Sequence, residues 1–101
     1  MTLPTLYVHY FSSDGLKEGE LTVEPGWFQL WPPEEVERCN RKYRVQELAP
    51  GFLGFGSSGG GELLAFDAQG RVVMMPMIGM SADEAWPVAD SWIEFVEKIR
   101  R

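Results

Sequence analysis

The sequence predicts a single α+β domain built on a mostly antiparallel sheet, and three observations predict it. Strand-like segments run from about Glu20 to Met77 with short turns between them, too short for the parallel crossovers of a βαβ sheet. Helical spacing appears at both chain ends and once inside. The chain has 101 residues, 45% hydrophobic and 13% aromatic, which suits one domain with its own core and argues against disorder.

Leu3 to Phe11 is expected to form a short helix opened by Pro4, with Leu3, Leu6, Tyr7, Tyr10 and Phe11 at a three-to-four-residue spacing. Ser12-Ser13-Asp14-Gly15 ends it with turn formers. Glu20 to Glu24 alternates charged and apolar residues, Pro25-Gly26 turns, and Trp27 to Trp31 continues in strand residues, so a hairpin is expected there. Pro32-Pro33-Glu34-Glu35 opens the clearest helix, because proline and acids match the unpaired amides and positive dipole end of a first turn. Val36, Cys39, Asn40 and Tyr43 share its inner face, and Glu34–Arg38 and Glu37–Arg41 are expected pairs on the outer one. Val45 to Leu48 reads as extended chain. Phe52 to Phe55, Leu63 to Phe66 and Arg71 to Met77 read as strands, apolar on both faces and so expected at the covered centre of the sheet. Gly56 to Gly61 and Asp67 to Gly70 are the turns between them. Ser81 to Glu84 has capping-box form for a single turn, which Pro87 then interrupts. The last helix starts at Asp90 or Ser91, with Trp92, Phe95, Val96 and Ile99 as its docking stripe.

Net charge is −6 with a sequence pI near 4.7. Direct nucleic-acid binding needs clustered lysine and arginine and is not expected. Cys39 is the single cysteine, so no intrachain disulfide is possible; its ordinary role is a small buried hydrophobe. The N-terminal segment lacks a signal-peptide core, and Val72 to Met80 is too short and interrupted to span a bilayer, so a cytoplasmic location without membrane attachment is the expectation.

No site for metal, cofactor or catalysis is legible. Gly54-Phe55-Gly56-Ser57-Ser58-Gly59 has the GxGxxG spacing, but a strand follows where a helix N-terminus must meet a pyrophosphate. Gly60 stands where a P-loop needs lysine. His9 has no ligand-type spacing to other residues, and Cys39 shows no base beside it. Glu62 and Asp67 flank one strand: paired carboxylates do acid–base work in a cleft, and otherwise satisfy turn amides. From Glu47 to Glu97 the acids are Glu47, Glu62, Asp67, Asp83, Glu84, Asp90, Glu94 and Glu97, against Arg71 alone. Two readings stay open: a field that steers a basic partner, or a solvated surface. Trp86, beside Pro87 in this acidic stretch, is either an exposed interface anchor or a lid on the sheet.

Several stretches together resemble the SUKH superfamily of Smi/Knr-type domains. They are Trp31-Pro32 at a strand end, Asn40 and Tyr43 on the following helix, the loop Gly56 to Glu62 with Gly59, Gly60 and Gly61, the strand closed by Asp67, and Val72 to Pro76. Ser91, Trp92 and Phe95 resemble its last helix, and Leu3-Pro4 with Tyr7 its Leu-Pro helix. Ser58 departs from the family pattern, where Asp is frequent, and no helix precedes Leu3-Pro4, so less cover is expected on one side of the sheet. The resemblance implies a non-catalytic protein-binding domain without cofactor. Many bacterial members are immunity proteins that block a toxin domain, often a nuclease; fungal relatives regulate cell-wall synthesis. The expectation is an immunity protein whose partner is a basic toxin domain, with Glu62, Asp67, Asp83, Glu84 and Trp86 as candidate contacts. The alternatives are a regulatory or scaffolding module and a small-ligand binder using the Gly-rich loop.

Overall fold

The computed structural model describes residues 2–101 as an α+β domain. Its elements are α1 (Thr5–Phe11), β1 (Glu18–Glu20), β2 (Trp27–Leu30), α2 (Pro33–Lys42), α3 (Val45–Leu48), β3 (Leu53–Ser57), β4 (Glu62–Phe66), β5 (Val72–Pro76), a 3-10 turn (Ala82–Glu84), β6 (Trp86–Ala89) and α4 (Trp92–Glu97). The strands follow one another in a six-stranded meander in which every pairing is antiparallel. No helix among the described residues is long and apolar enough to cross a membrane.

Alternation along the central strands feeds two cores. In β4, Leu64 and Phe66 point to one side and Leu63 and Ala65 to the other; in β5, Val72 and Met74 oppose Val73 and Met75. The first side is aromatic. Tyr7 of α1 and Trp92 and Phe95 of α4 close over Phe28, Phe55 and Phe66, with ring centroids 4.5 to 6 Å apart in mostly edge-to-face contacts. A bulge between Gly54 and Gly56 turns Phe55 to this side. The Tyr7 hydroxyl, buried beside it, is 2.7 Å from the Trp31 carbonyl and 3.1 Å from the Phe55 carbonyl, so the buried phenol is satisfied. The second side is aliphatic, with Val45 and Ala49 from the α3 turn lying over Leu63, Ala65, Val73 and Met75.

Several elements differ from the sequence expectation. The first strand is Glu18–Glu20, not Glu20 to Glu24, because Leu21 and Thr22 pair with the C-terminal segment instead: Thr22 N–H donates to the Lys98 carbonyl and Arg100 N–H to the Glu20 carbonyl. Val45 to Leu48 is helical rather than extended. Arg44 enters the left-handed region at φ 58°, and one helical turn then brings Val45 and Ala49 onto the aliphatic core. β3 extends to Ser57 and so takes in Gly56, where a Cβ would collide with the Gln29 carbonyl. Trp86–Ala89 is a sixth strand where a loop was expected; Pro87 is tolerated because β6 is an edge. In α2, Arg38 pairs with Glu35 rather than Glu34, while Glu37–Arg41 forms as expected. Ser91 caps α4, its hydroxyl accepting Glu94 N–H at 3.1 Å, while the Glu94 carboxylate reaches one residue past the cap and accepts Asp90 N–H at 3.3 Å. Ser81 makes no such side-chain cap.

Candidate functional site

Meander topology puts three loops at one end of the sheet: 21–26 between β1 and β2, 58–61 between β3 and β4, and 77–85 between β5 and β6. The register fixes what they bring together. Glu62 lies opposite Pro76, Met74 opposite Trp86, and Glu20 opposite Trp27. Ser57, Glu62, Pro76, Trp86, Trp27 and Glu20 are therefore all strand ends on one rim.

The 58–61 loop is held from within. Ser58 is buried; its hydroxyl donates to Glu62 Oε1 at 2.7 Å and accepts from Gly60 and Glu62 N–H at 3.0 and 3.2 Å, while its own N–H donates to the Glu62 carbonyl. Serine at this position thus supplies the acceptor that turn amides need. Gly59, at φ +76°, occupies a backbone region that side-chain-bearing residues avoid. The loop is a closed turn, and the three clefts described on the surface are lined by other segments.

The 77–85 loop is anchored by Met80, buried in the aliphatic core, and by Met77 and Ala85, which pack against it. Ile78 is 94% exposed and Trp86 61% exposed. Asp83 and Glu84 lie on the 3-10 turn between them. Among the described residues, neither acid forms an ion pair or accepts a side-chain hydrogen bond. Trp86 is thus an exposed residue, not a lid on the sheet.

Asp67 is elsewhere. It closes β4 at the opposite end, where Oδ1 accepts Gln69 and Arg71 N–H, each at 2.9 Å, and Oδ2 accepts Arg71 Nε at 2.7 Å. Burial pushes its carboxyl up, but the Arg71 side chain and the two turn amides outweigh that and hold it below the usual range. Glu47 is likewise occupied, held below the usual range by its hydrogen bonds from Arg44. Of the candidate contacts, Glu62, Asp83 and Glu84 therefore reach the loop end, whereas Asp67 does not. Sequence reading missed Glu20, Glu24 and Trp27 there, since strand pairing alone brings the first hairpin to the same rim.

No protein-family model matches the chain, and no curated protein matches it in sequence.

The residues on which the family resemblance rests build the scaffold. Trp31 stacks on Tyr43 with centroids 5.8 Å apart, and Pro32 precedes the first turn of α2. Asn40 is buried between α2 and β3. Its amide donates to the Val36 and Gly54 carbonyls at 2.7 and 2.8 Å, and its oxygen accepts Gly54 N–H at 2.8 Å and Gln46 Nε2 at 3.1 Å. All four hydrogen-bonding valences of that side chain are filled, which leaves it nothing to offer a ligand. His9 is exposed on α1 and Cys39 half-buried on α2. Among the described residues, no group of three or more His, Cys, Asp or Glu could hold a metal ion.

Proposed function

We propose that this domain is a non-catalytic protein-binding module of the immunity type, which neutralises a toxin domain by docking a basic surface of it against the loop end of the sheet. The observation that carries the reading is the 77–85 loop, with Ile78 and Trp86 exposed around unpaired Asp83 and Glu84, and Glu62 on the neighbouring strand end. Exposed tryptophan supplies large apolar area at little conformational cost and anchors interfaces. Unpaired carboxylates around it speed encounter with a cationic partner and reject anionic ones. Glu62 and Trp86 are strand residues, and Met80 and Ala85 anchor the loop to the aliphatic core, which limits the ordering that opposes association. The resemblance to SUKH domains supports the same class of partner. Asp67, committed to its turn at the far end, lies outside this surface.

The test is coexpression with the product of the reading frame beside its own gene. The expected result is rescue of growth and a stable complex, with Trp86→Ala weakening binding about tenfold or more. Persistent toxicity without a complex refutes the proposal. A complex with a harmless partner favours the regulatory or scaffolding reading on the same surface. The small-ligand reading finds no support at the Gly-rich loop, which Ser58 closes.

A further inference from the structure

The outer face of the β1–β2 hairpin lies at the same rim. Antiparallel partners share a face of the sheet. Glu18 lies opposite Gln29, Gln29 opposite Ser57, and Ser57 opposite Leu63, whose side chain enters the aliphatic core. The row therefore projects to the side of α2 and α3. Glu20 and Trp27, an opposed pair two residues along, project the same way. Those helices stand over β3, however, and leave the hairpin uncovered. Glu18, Glu20 and Gln29 are exposed, and Trp27 is 38% exposed. The loop glycine borders the indole without covering it: a Cβ on Gly59 would stand 3.5 Å from Trp27 Cδ1 and from Gln29 Nε2, and none is there.

Charge selects the occupant. Glu18, Glu20 and Glu24 lie on this hairpin. Arg100 reaches Glu20 at 3.6 Å from the strand edge. The Lys17 ammonium is turned away onto the Ser13 and Gly15 carbonyls at 2.7 and 2.6 Å. An amphipathic helix would find only one apolar side chain in this row, and an anionic group would meet carboxylates. An aromatic face bordered by carboxylates fits a guanidinium or ammonium, drawn by both the ring quadrupole and the charges.

We propose that this face binds an arginine- or lysine-rich segment of the partner protein, with Trp27 receiving a cationic side chain on its ring and Glu18 and Glu20 flanking it. The identity of the occupant as part of a basic protein rests on the preceding reading; the test does not require that protein. The probe is a hexa-arginine peptide titrated into the labelled domain, read at the four tryptophan indole N–H resonances by NMR. The expected result is a saturable shift at Trp27, weakened when salt rises from about 20 to about 200 mM. Glu18→Gln with Glu20→Gln weakens binding about fivefold, and Trp27→Leu about two- to fivefold. Trp27→Phe, which keeps an aromatic ring in the hairpin, falls between Trp27→Leu and the parent and separates loss of the cation contact from loss of the fold. A shift at Trp86 with Trp27 unmoved overturns this proposal and leaves the 77–85 surface standing. No indole shift at all overturns it, as does a Trp27 shift that the two glutamine substitutions leave unchanged.

Discussion

At one end of β4 the Asp67 carboxylate accepts three hydrogen bonds inside its own turn; at the rim opposite, the carboxylates of Asp83 and Glu84 accept none from the described residues. The far end also holds the contact between Asn40 and Gly54, with every valence of that amide filled. Polar groups at the far end are thus structural, while those of the 77–85 loop are left to solvent or to another molecule. One chain with an acid-rich second half carries both kinds, and composition does not distinguish them.

Substitutions at both ends test the contrast. Asn40→Ala should have the largest effect, about 3 kcal/mol of destabilisation in urea unfolding, because it strands the buried Gly54 N–H and carbonyl together. Asp67→Ala should cost about 2 kcal/mol. Most of that belongs to the turn amides: the Arg71 guanidinium is exposed, and such ion pairs contribute about 0 to 1 kcal/mol, so Arg71→Ala should cost much less. The Asp67 effect should also depend on pH. A carboxyl held below its ordinary value in the folded state stabilises fully above about pH 4, the unfolded value, and loses that contribution as pH falls through the folded value. The stability gap between the parent and Asp67→Asn should therefore narrow on acidification; a gap independent of pH would remove the argument. Ser58→Ala should cost about 1 kcal/mol and loosen the 58–61 loop, read as faster amide exchange at Gly60 and Glu62. Asp83→Lys with Glu84→Lys should change stability by less than about 0.5 kcal/mol while abolishing partner binding. A large loss of stability there would erase the distinction between the two ends.

Long or well-punctuated elements were legible in the sequence. Pro32-Pro33 followed by acids marks the start of α2, and Ser91 with Glu94 marks α4, because capping chemistry is local. The doubly apolar strands 63–66 and 72–76 were readable as central. The α3 turn was not, since four residues carry too little periodicity to separate a helical turn from extended chain. β6 was hidden by Pro87, whose missing N–H argues against a strand until the strand is known to be an edge. At the candidate site, Trp86, Asp83, Glu84 and Glu62 were identified from sequence, whereas Trp27 and Glu20 were not. Their neighbour at that rim is the loop around Gly59, distant in sequence and adjacent only through the β2–β3 pairing.

The sequence by itself determined that this is one α+β domain and that its sheet is antiparallel. Those properties follow from local periodicity, turn chemistry and composition, which do not depend on how distant segments meet. Only the tertiary structure decided which acids are available. Asp67 is bound by its turn amides at one end of β4, whereas the carboxylates of Asp83 and Glu84 accept no hydrogen bond from the described residues beside Trp86 at the opposite rim. Strand register assigns each side chain to a face and an end, and a single alternation carries it from core to solvent.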